Sequence, residues 1–478
     1  MKKNGNNMPV APPTAAALPP GLSYCGPWRE ARDTSLLSDL SYPDGQGGRC
    51  VAQAIFDAML ALIATASRLI VLDLFLFNPY QGRHPEHTRA LSGELTDALL
   101  ARKQACPQLE IILITDPVNT FYGALPCAQF SALERAGVRV VETVLDRLPD
   151  SNRFYSPCWR LLIRPFGTGR GGCLPSPLGP GRVSLRSVAR MLNFKANHRK
   201  VLVADSPGGW RGMVSSANAH DASSAHDNMA VLFGGAAVAD LLESELAVLD
   251  FCEQPRPQVT PLQILTEQYK PDTPAEKTAG GDERAVCRVL TEGQIRRALL
   301  SVIETSRAGD CLDLLLFYLS EREIIAALLA AHERGVHVRV LLDPNKDAFG
   351  HNKNGIPNRP VAQELHYAGI AVRWCDTHGE QCHVKTLLRH RQGSASVLLT
   401  GSANFTRRNL CDLNLETDLQ LEGPPEHGVI RDAVAYFETF WGNRGGRRLS
   451  VDYAVYADHS RIKRWLYRAM EASGFCTF

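Results

Sequence analysis

The chain has 478 residues, with 52 Lys plus Arg against 50 Asp plus Glu, a formal net charge of +2. That balance argues against a nucleic-acid binder built on bulk positive charge. A hydrophobic content of 45% with 21% charged residues excludes wholesale disorder and a multi-span membrane protein, and the length suits about three domains or two large ones.

The chain begins MKKNGNNMPVAPPTAAALPP, where Asn, Gly and Pro interrupt the apolar run that a signal peptide needs. Residues 1–24 are therefore expected to be a disordered tail. Residues 54–77 are the most apolar stretch, but they carry Asp57, Arg68 and Asp73 and change period midway. Ile55, Met59, Leu62 and Ile63 share one helical face, and LIVLDLFLF reads as a buried strand, so no transmembrane helix is expected. A helix and strand ending in Asp116-Pro117 follow, then a helix with a Gly turn, LERAGVRVV.

Residues 147–196 hold nine Lys/Arg and one acidic residue, Asp150, a local net of +8, together with Phe154, Trp159, Phe166 and a Gly/Pro-rich run. Next come HRKVLVAD and a strand ending SSAN. Residues 254–284, rich in Pro, Thr and charge, read as a linker. The order of elements then recurs: ALLSVIETSRAGDCLDLLLFYL, a helix and strand ending in Asp343-Pro344, the Gly turn LHYAGIAVR, then HVKTLLRH and VLLTGSAN. Helices alternating with β-branched strands indicate an α/β fold with a largely parallel sheet. The expected lobes are 25–253 and 285–445, followed by a segment 446–478 whose residues 460–475 form a basic amphipathic helix. Gly137 and Gly369 lie 232 residues apart but His198 and His383 only 185, so the first lobe carries a 47-residue insertion, placed at 147–196. The 13 cysteines include no C-x-x-C pair, which fits free thiols in a reducing, cytoplasmic compartment.

The chemistry concentrates in the repeated motifs. On a strand, residues i and i+2 project to one side, so His198 and Lys200 project together, as do His383 and Lys385. Ser216 with Asn218, and Ser402 with Asn404, have the same spacing on the following strand. Two such halves would set two imidazoles, two ammoniums and two amides around one point. That set suits phosphodiester chemistry without a metal or cofactor. One imidazole attacks phosphorus, the other gives a proton to the leaving alkoxide, and Lys and Asn stabilise the phosphoryl oxygens.

These residues resemble the phospholipase D superfamily, whose H-x-K-x-x-x-x-D and G-S-x-N motifs occur twice. The likeness runs over roughly residues 35–445. It implies an α/β/α sandwich in each lobe, a pseudo-two-fold relation, one shared active site and a phosphohistidine intermediate. The catalytic residues it implies are His198, Lys200, Asp205, His383, Lys385 and Glu416, with Ser216, Asn218, Ser402 and Asn404 on the substrate phosphate. His390 stands where the second motif has its Asp, and Ser215 where the first has its Gly. A downstream carboxylate orients the His in the family. Glu416 in NLETDL fits that role for the second lobe, whereas the stretch NMAVLF sets Ala230 at the matching place, leaving Asp227 or Asp221 as substitutes. Family habit makes His198 the nucleophile and His383 the acid, and a Glu416 partner on His383 would allow the reverse.

The resemblance further implies a cardiolipin synthase-like phosphatidyltransferase, with phospholipid hydrolysis and a metal-independent nuclease as alternatives. The expected partners are a phospholipid substrate and a membrane surface on the inner face of the cell membrane, with nucleic acid disfavoured and a two-lobed monomer as the assembly. The polar loop from Asp343 to Asp347 is expected to bind the acceptor.

Overall fold

The computed structural model describes residues 18–46, 48–81, 89–169, 171–177, 179–268, 284–348, 351–391 and 394–476. Two large sheets dominate it. The first runs, edge to edge, Arg49–Gln53, Arg32–Pro43, Asn228–Gly234, Arg211–Ser215, Lys200–Ala204, Leu69–Leu74, Glu110–Thr115 and Arg139–Glu142. The second runs Arg29–Glu30, Val286–Thr291, Thr417–Gly423, Ser396–Gly401, Lys385–His390, Cys311–Leu316, His337–Leu342, Ala371–Cys375 and Ser450–Asp452. The central order is the same in both, so the sequence repeat is a repeat of topology.

The sheets are mixed rather than largely parallel. Leu69–Leu74, Glu110–Thr115 and Arg139–Glu142 are parallel, as are their counterparts from Cys311 onward, because a helix returns the chain between them. The strand carrying each H-x-K motif lies antiparallel to the first of these, and its hairpin partner continues the antiparallel half. Strands such as Leu69–Leu74 and Lys200–Ala204 are buried along their whole length. Both faces are covered: Val201 and Val203 pack with the helix Ala237–Phe251, while Leu202 and Ala204 pack with the helices Ala54–Thr65 and Leu91–Ala105. This covering explains near-continuous apolar runs where a one-sided sheet would alternate.

The ends of the lobes fall elsewhere than the sequence boundaries. Most of the 1–24 tail lies outside the described residues, but Leu22 is buried, and the backbone N–H groups of Ser23 and Tyr24 donate to Glu292 and Thr291 at 2.7 Å. Arg29–Glu30 then pairs with Val286–Thr291, so the chain starts on the second sheet before crossing to the first. Of the 254–284 linker, 269–283 lies outside the described residues, and Pro261–Gln268 is a helix whose Ile264 joins the first lobe's core. Ser450–Asp452 closes the second sheet by pairing with Ala371–Cys375. The helix Arg461–Ser473 buries Tyr467 in the second lobe's core, so the C-terminal segment is part of that lobe.

The insertion folds as two short helices, Tyr155–Leu162 and Leu185–Met191, with a small hairpin between Leu174–Pro175 and Arg182–Val183. It meets the C-terminal helix. The rings of Phe194 and Phe475 lie 5.6 Å apart edge to face, and Gly474, at φ +75°, sits where any Cβ would fall 1.8 Å from the Ser151 carbonyl oxygen. Only glycine permits that approach. Among the described residues no helix is long and apolar enough to cross a membrane.

Candidate active site

Two isolated bridges join the lobes, and each lies at an H-x-K motif. The His198 N–H donates to the Leu415 carbonyl at 2.8 Å, and the Leu415 N–H donates to Ala196 at 3.0 Å. In the other direction, the His383 N–H donates to Asp227 at 2.9 Å, and the Asp227 N–H donates to Gln381 at 3.0 Å. Each H-x-K strand thus begins by pairing with the segment that leads into a strand of the other lobe's sheet, Thr417–Gly423 for His198 and Asn228–Gly234 for His383.

This crossing decides which group holds which histidine. Glu416 follows Leu415, and its Oε2 lies 3.0 Å from Nδ1 of His198, not on His383 as the sequence reading had it. Asn228 follows Asp227, and its Oδ1 lies 3.2 Å from Nδ1 of His383. Asn228 is also the true counterpart of Glu416. Ser216 N–H donates to Met229 and Ser402 N–H to Thr417, and the strand registers pair Ser215 with Ala230 and Gly401 with Asp418. Ala230 therefore corresponds to Asp418, and the sequence alignment was two residues out. A slip of two preserves the in-out alternation of a strand, so the hydrophobic pattern could not reveal it. The carboxylates of the two substitutes are engaged away from the His198 and His383 rings: that of Asp227 accepts from the Ser41 N–H at 2.8 Å, and that of Asp221 from the Ser92 N–H at 2.9 Å.

The serines act on these holders. Ser402 Oγ donates to Glu416, and Ser216 Oγ donates to Asn228 Oδ1 at 2.9 Å, so both hydroxyls are committed to protein groups rather than left to phosphate. Asn409 Nδ2 donates to the second Glu416 oxygen. Asn218 and Asn404 differ: each has a buried amide oxygen with no hydrogen-bond partner among the described residues.

Lys200 and Lys385 each donate one proton to the carbonyl of their own histidine residue. Phe75 and Phe317, one residue beyond equivalent strands, support both pairs. Their rings lie 4.8 and 5.0 Å from the imidazoles of His198 and His383, and 5.1 Å from the two ammonium nitrogens. The repeated Asp-Pro dipeptides prove to be anchors. Asp116 accepts from the Asn197 N–H at 2.8 Å, and Asp343 accepts from the Cys382 N–H at 3.0 Å, each one residue before a histidine. Asp343 is thus a support for the backbone at His383, not an acceptor-binding group. Arg199 points away from its neighbours His198 and Lys200 into a buried network, donating to Glu245 at 3.0 Å and Glu292 at 2.6 Å. Glu292 in turn accepts from the Glu416 N–H at 3.1 Å. Arg199 and the Phe pair were visible in the sequence only as ordinary members of the motif and the strand repeat.

Asp205 is outside the site. It ends the strand that begins at Lys200, about 17 Å along the strand at ~3.3 Å per residue. There its carboxylate accepts from the N–H groups of Ser67, Arg68 and Leu69 at 2.9, 2.9 and 3.0 Å and from Ser67 Oγ at 2.7 Å. Its place in the second lobe is taken by His390, whose Nε2 lies 2.7 Å from Asp313.

Burial sets the protonation of the four bases. It drives His198 down to about 4, with Glu416 opposing and Lys200 assisting, and Lys200 down to about 7, again with Glu416 opposing. His383 and Lys385 are held well below their ordinary values, first by burial and then by the neighbouring cations. Burial would raise Glu416, but His198, Lys200 and Ser402 outweigh it and keep the carboxylate ionised. Its negative charge fixes the Nδ1–H tautomer of His198 and frees Nε2 as a lone pair. The result is a buried cluster of four nitrogen bases around one carboxylate, in which a bound anion would favour the protonated forms by adding negative charge.

Residues 301–441 match the family model described as "Cardiolipin synthase, PLD-like domain". Over 189 residues the chain is 28% identical to the mitochondrial cardiolipin hydrolase of Canis lupus familiaris, across 39% of this chain and 67% of that protein. Among solved structures, the phosphatidylserine synthase of Haemophilus influenzae Rd KW20 superposes with a TM-score of 0.57 at 12% identity, covering 93% of this chain and 94% of that one, a likeness of fold.

Proposed function

We propose that this chain is an enzyme of the phospholipase D type, a cardiolipin synthase-like phosphatidyltransferase working through a phosphohistidine. One observation carries this reading: the two histidines are held at a common site by partners from opposite lobes, His198 by a carboxylate and His383 by an amide. The carboxylate suits His198 to be the nucleophile. Its Nε2 attacks phosphorus, and the bond from phosphorus to the headgroup oxygen breaks. Positive charge that develops on the imidazole is balanced by Glu416. His383 gives a proton to the departing alkoxide and then takes one from the incoming hydroxyl, which attacks phosphorus and breaks the P–N bond. Lys200, Lys385, Asn218 and Asn404 stabilise the phosphoryl oxygens.

With phosphatidylglycerol as both donor and acceptor, the products are cardiolipin and glycerol; small alcohols such as ethanolamine are further acceptors. The family model and the dog relative, both named for cardiolipin chemistry, support a phospholipid substrate. The relative's name also favours a second reading, in which water is the acceptor and a phospholipid is hydrolysed.

The test is purified protein with phosphatidylglycerol vesicles, analysed by lipid mass spectrometry. Cardiolipin plus glycerol supports transfer, and phosphatidate plus glycerol supports hydrolysis. His198→Ala and His383→Ala should each abolish product. Cleavage of DNA or RNA with no lipid product would overturn the lipid reading, and full activity of either His variant would overturn the two-histidine chemistry.

A further inference from the structure

The C-terminal helix Arg461–Ser473 carries its apolar stripe on the wrong side for packing. Ile462, Trp465, Leu466 and Ala469 have the i, i+3, i+4, i+7 spacing of a core-facing stripe. The contact with the second lobe is instead made by Tyr467 and Glu471, about half a turn round the helix. Tyr467 accepts from Arg322 at 2.6 Å, and Glu471 accepts from the Arg407 N–H at 3.0 Å. Ile462 and Trp465 are 77% and 71% exposed.

The insertion, which meets this helix at Phe194 and Phe475, repeats the arrangement. Its Phe154, Leu161 and Phe166 are 78%, 76% and 69% exposed. The apolar side chains project from strongly basic segments, net +8 over residues 147–196 and net +3 over 461–473, in a chain whose total is only +2. Arg153, Arg461 and Arg468 meet no carboxylate among the described residues, so their charge is uncompensated. Both segments also attach beside the catalytic motifs. The insertion leads directly into Asn197-His198, and the helix is held by Arg407, three residues past Asn404.

We propose that the insertion and the C-terminal helix form one docking surface for an anionic phospholipid bilayer, with the aromatic and aliphatic tips in the headgroup-acyl boundary and the arginines on the lipid phosphates. It rests on the lipid reading of the active site, and it assigns a role to the one large segment that the two lobes do not share. Protruding apolar side chains give such a surface its depth and cationic flanks give its selectivity for charge.

The experiment is co-sedimentation of the full chain with vesicles of phosphatidylglycerol and phosphatidylcholine, alongside turnover of dispersed short-chain phosphatidylglycerol. The wild type should bind the mixed vesicles, bind pure phosphatidylcholine far less, and release at high salt. Ile462→Ser/Trp465→Ser, with an unchanged circular dichroism spectrum, should lose about tenfold or more in vesicle partition while turning over the dispersed substrate at the wild-type rate. Phe154→Ser/Phe166→Ser should behave alike. Equal vesicle binding by wild type and variants would overturn the proposal. So would failure of the wild type to bind, including the case in which the variants instead lose concentration-dependent self-association in light scattering, the mark of a second copy as occupant. Absence of turnover with vesicle binding intact would count against the enzymatic reading alone.

Discussion

Replacing Glu416 with Gln keeps the shape of the side chain and removes its charge, and the structure gives the size of the effect. The carboxylate lies 3.0 Å from His198 Nδ1 in a fully buried setting. At an effective dielectric of about 20, a unit charge at that distance interacts with an imidazolium by about 5 kcal/mol. A neutral amide retains part of this through its dipole, which leaves a difference of about 3–4 kcal/mol in the state where His198 carries positive charge. That is a loss of about 10²- to 10³-fold in kcat, with KM little changed because both Glu416 oxygens are already engaged by His198, Ser402 and Asn409. Tautomer adds to the loss. Asn409 donates to Oε1, while Ser402 shares Oε2 with His198. An amide that keeps its single oxygen on Asn409 turns its N–H toward His198 and Ser402, which draws the imidazole proton to Nε2 and hides the nucleophilic lone pair. The assay is steady-state headgroup release from short-chain phosphatidylglycerol, with rapid-quench measurement of the first turnover. Circular dichroism and thermal inactivation report on the fold. A variant that folds and turns over within threefold of wild type would refute this account of the Glu416–His198 pair.

Asp205→Ala should act on stability alone. It strands three backbone N–H groups at the turn before Leu69–Leu74, at a cost of about 1–3 kcal/mol, and should lower the thermal inactivation midpoint while kcat per folded molecule at 25 °C stays within about threefold; a large loss of kcat in folded protein would return Asp205 to the chemistry. The pH profile of kcat/KM should have an acid limb near His198's value of about 4, because protonation removes the nucleophile. On the alkaline side it should fall in two steps, first as His383, held well below the ordinary imidazole value, loses the proton it gives the leaving group, and then near Lys200's value of about 7 as charge leaves the phosphate site. Lys200→Arg, which cannot lose its proton in this range, should lower the plateau and abolish the second step alone. A second step that persists would show that another group controls it.

That His198 with Lys200, and His383 with Lys385, lie beside each other was legible because each pair stands in a local motif whose spacing of two has one structural meaning on a strand. The lobe order was legible because Asp116-Pro117 and Asp343-Pro344 punctuate equivalent strands. What escaped the sequence is what depends on pairing between segments far apart. Glu416 lies 218 residues from His198, and Asn228 lies 155 from His383. No local pattern states that each lobe holds the other's histidine. Asp205 was misplaced for a related reason: membership in a motif reports where a residue is needed, and here it is needed at the far end of the strand, to close a turn. The mixed sheet was hidden because strands buried on both faces look alike whether parallel or antiparallel.

The crossed holding of the histidines has a consequence for how such a chain can vary. A head-to-head pair of identical second lobes would confront two imidazoles each held by glutamate, and a pair of identical first lobes would confront two each held by asparagine. Only the union of the unlike halves gives one of each. The difference between the two histidines therefore lies not in the H-x-K motifs, which are nearly interchangeable, but in a single mismatched pair, Glu416 and Asn228, each lodged in the lobe opposite the histidine it holds. Exchanging those two side chains alone would leave both motifs intact and invert the polarity of the site.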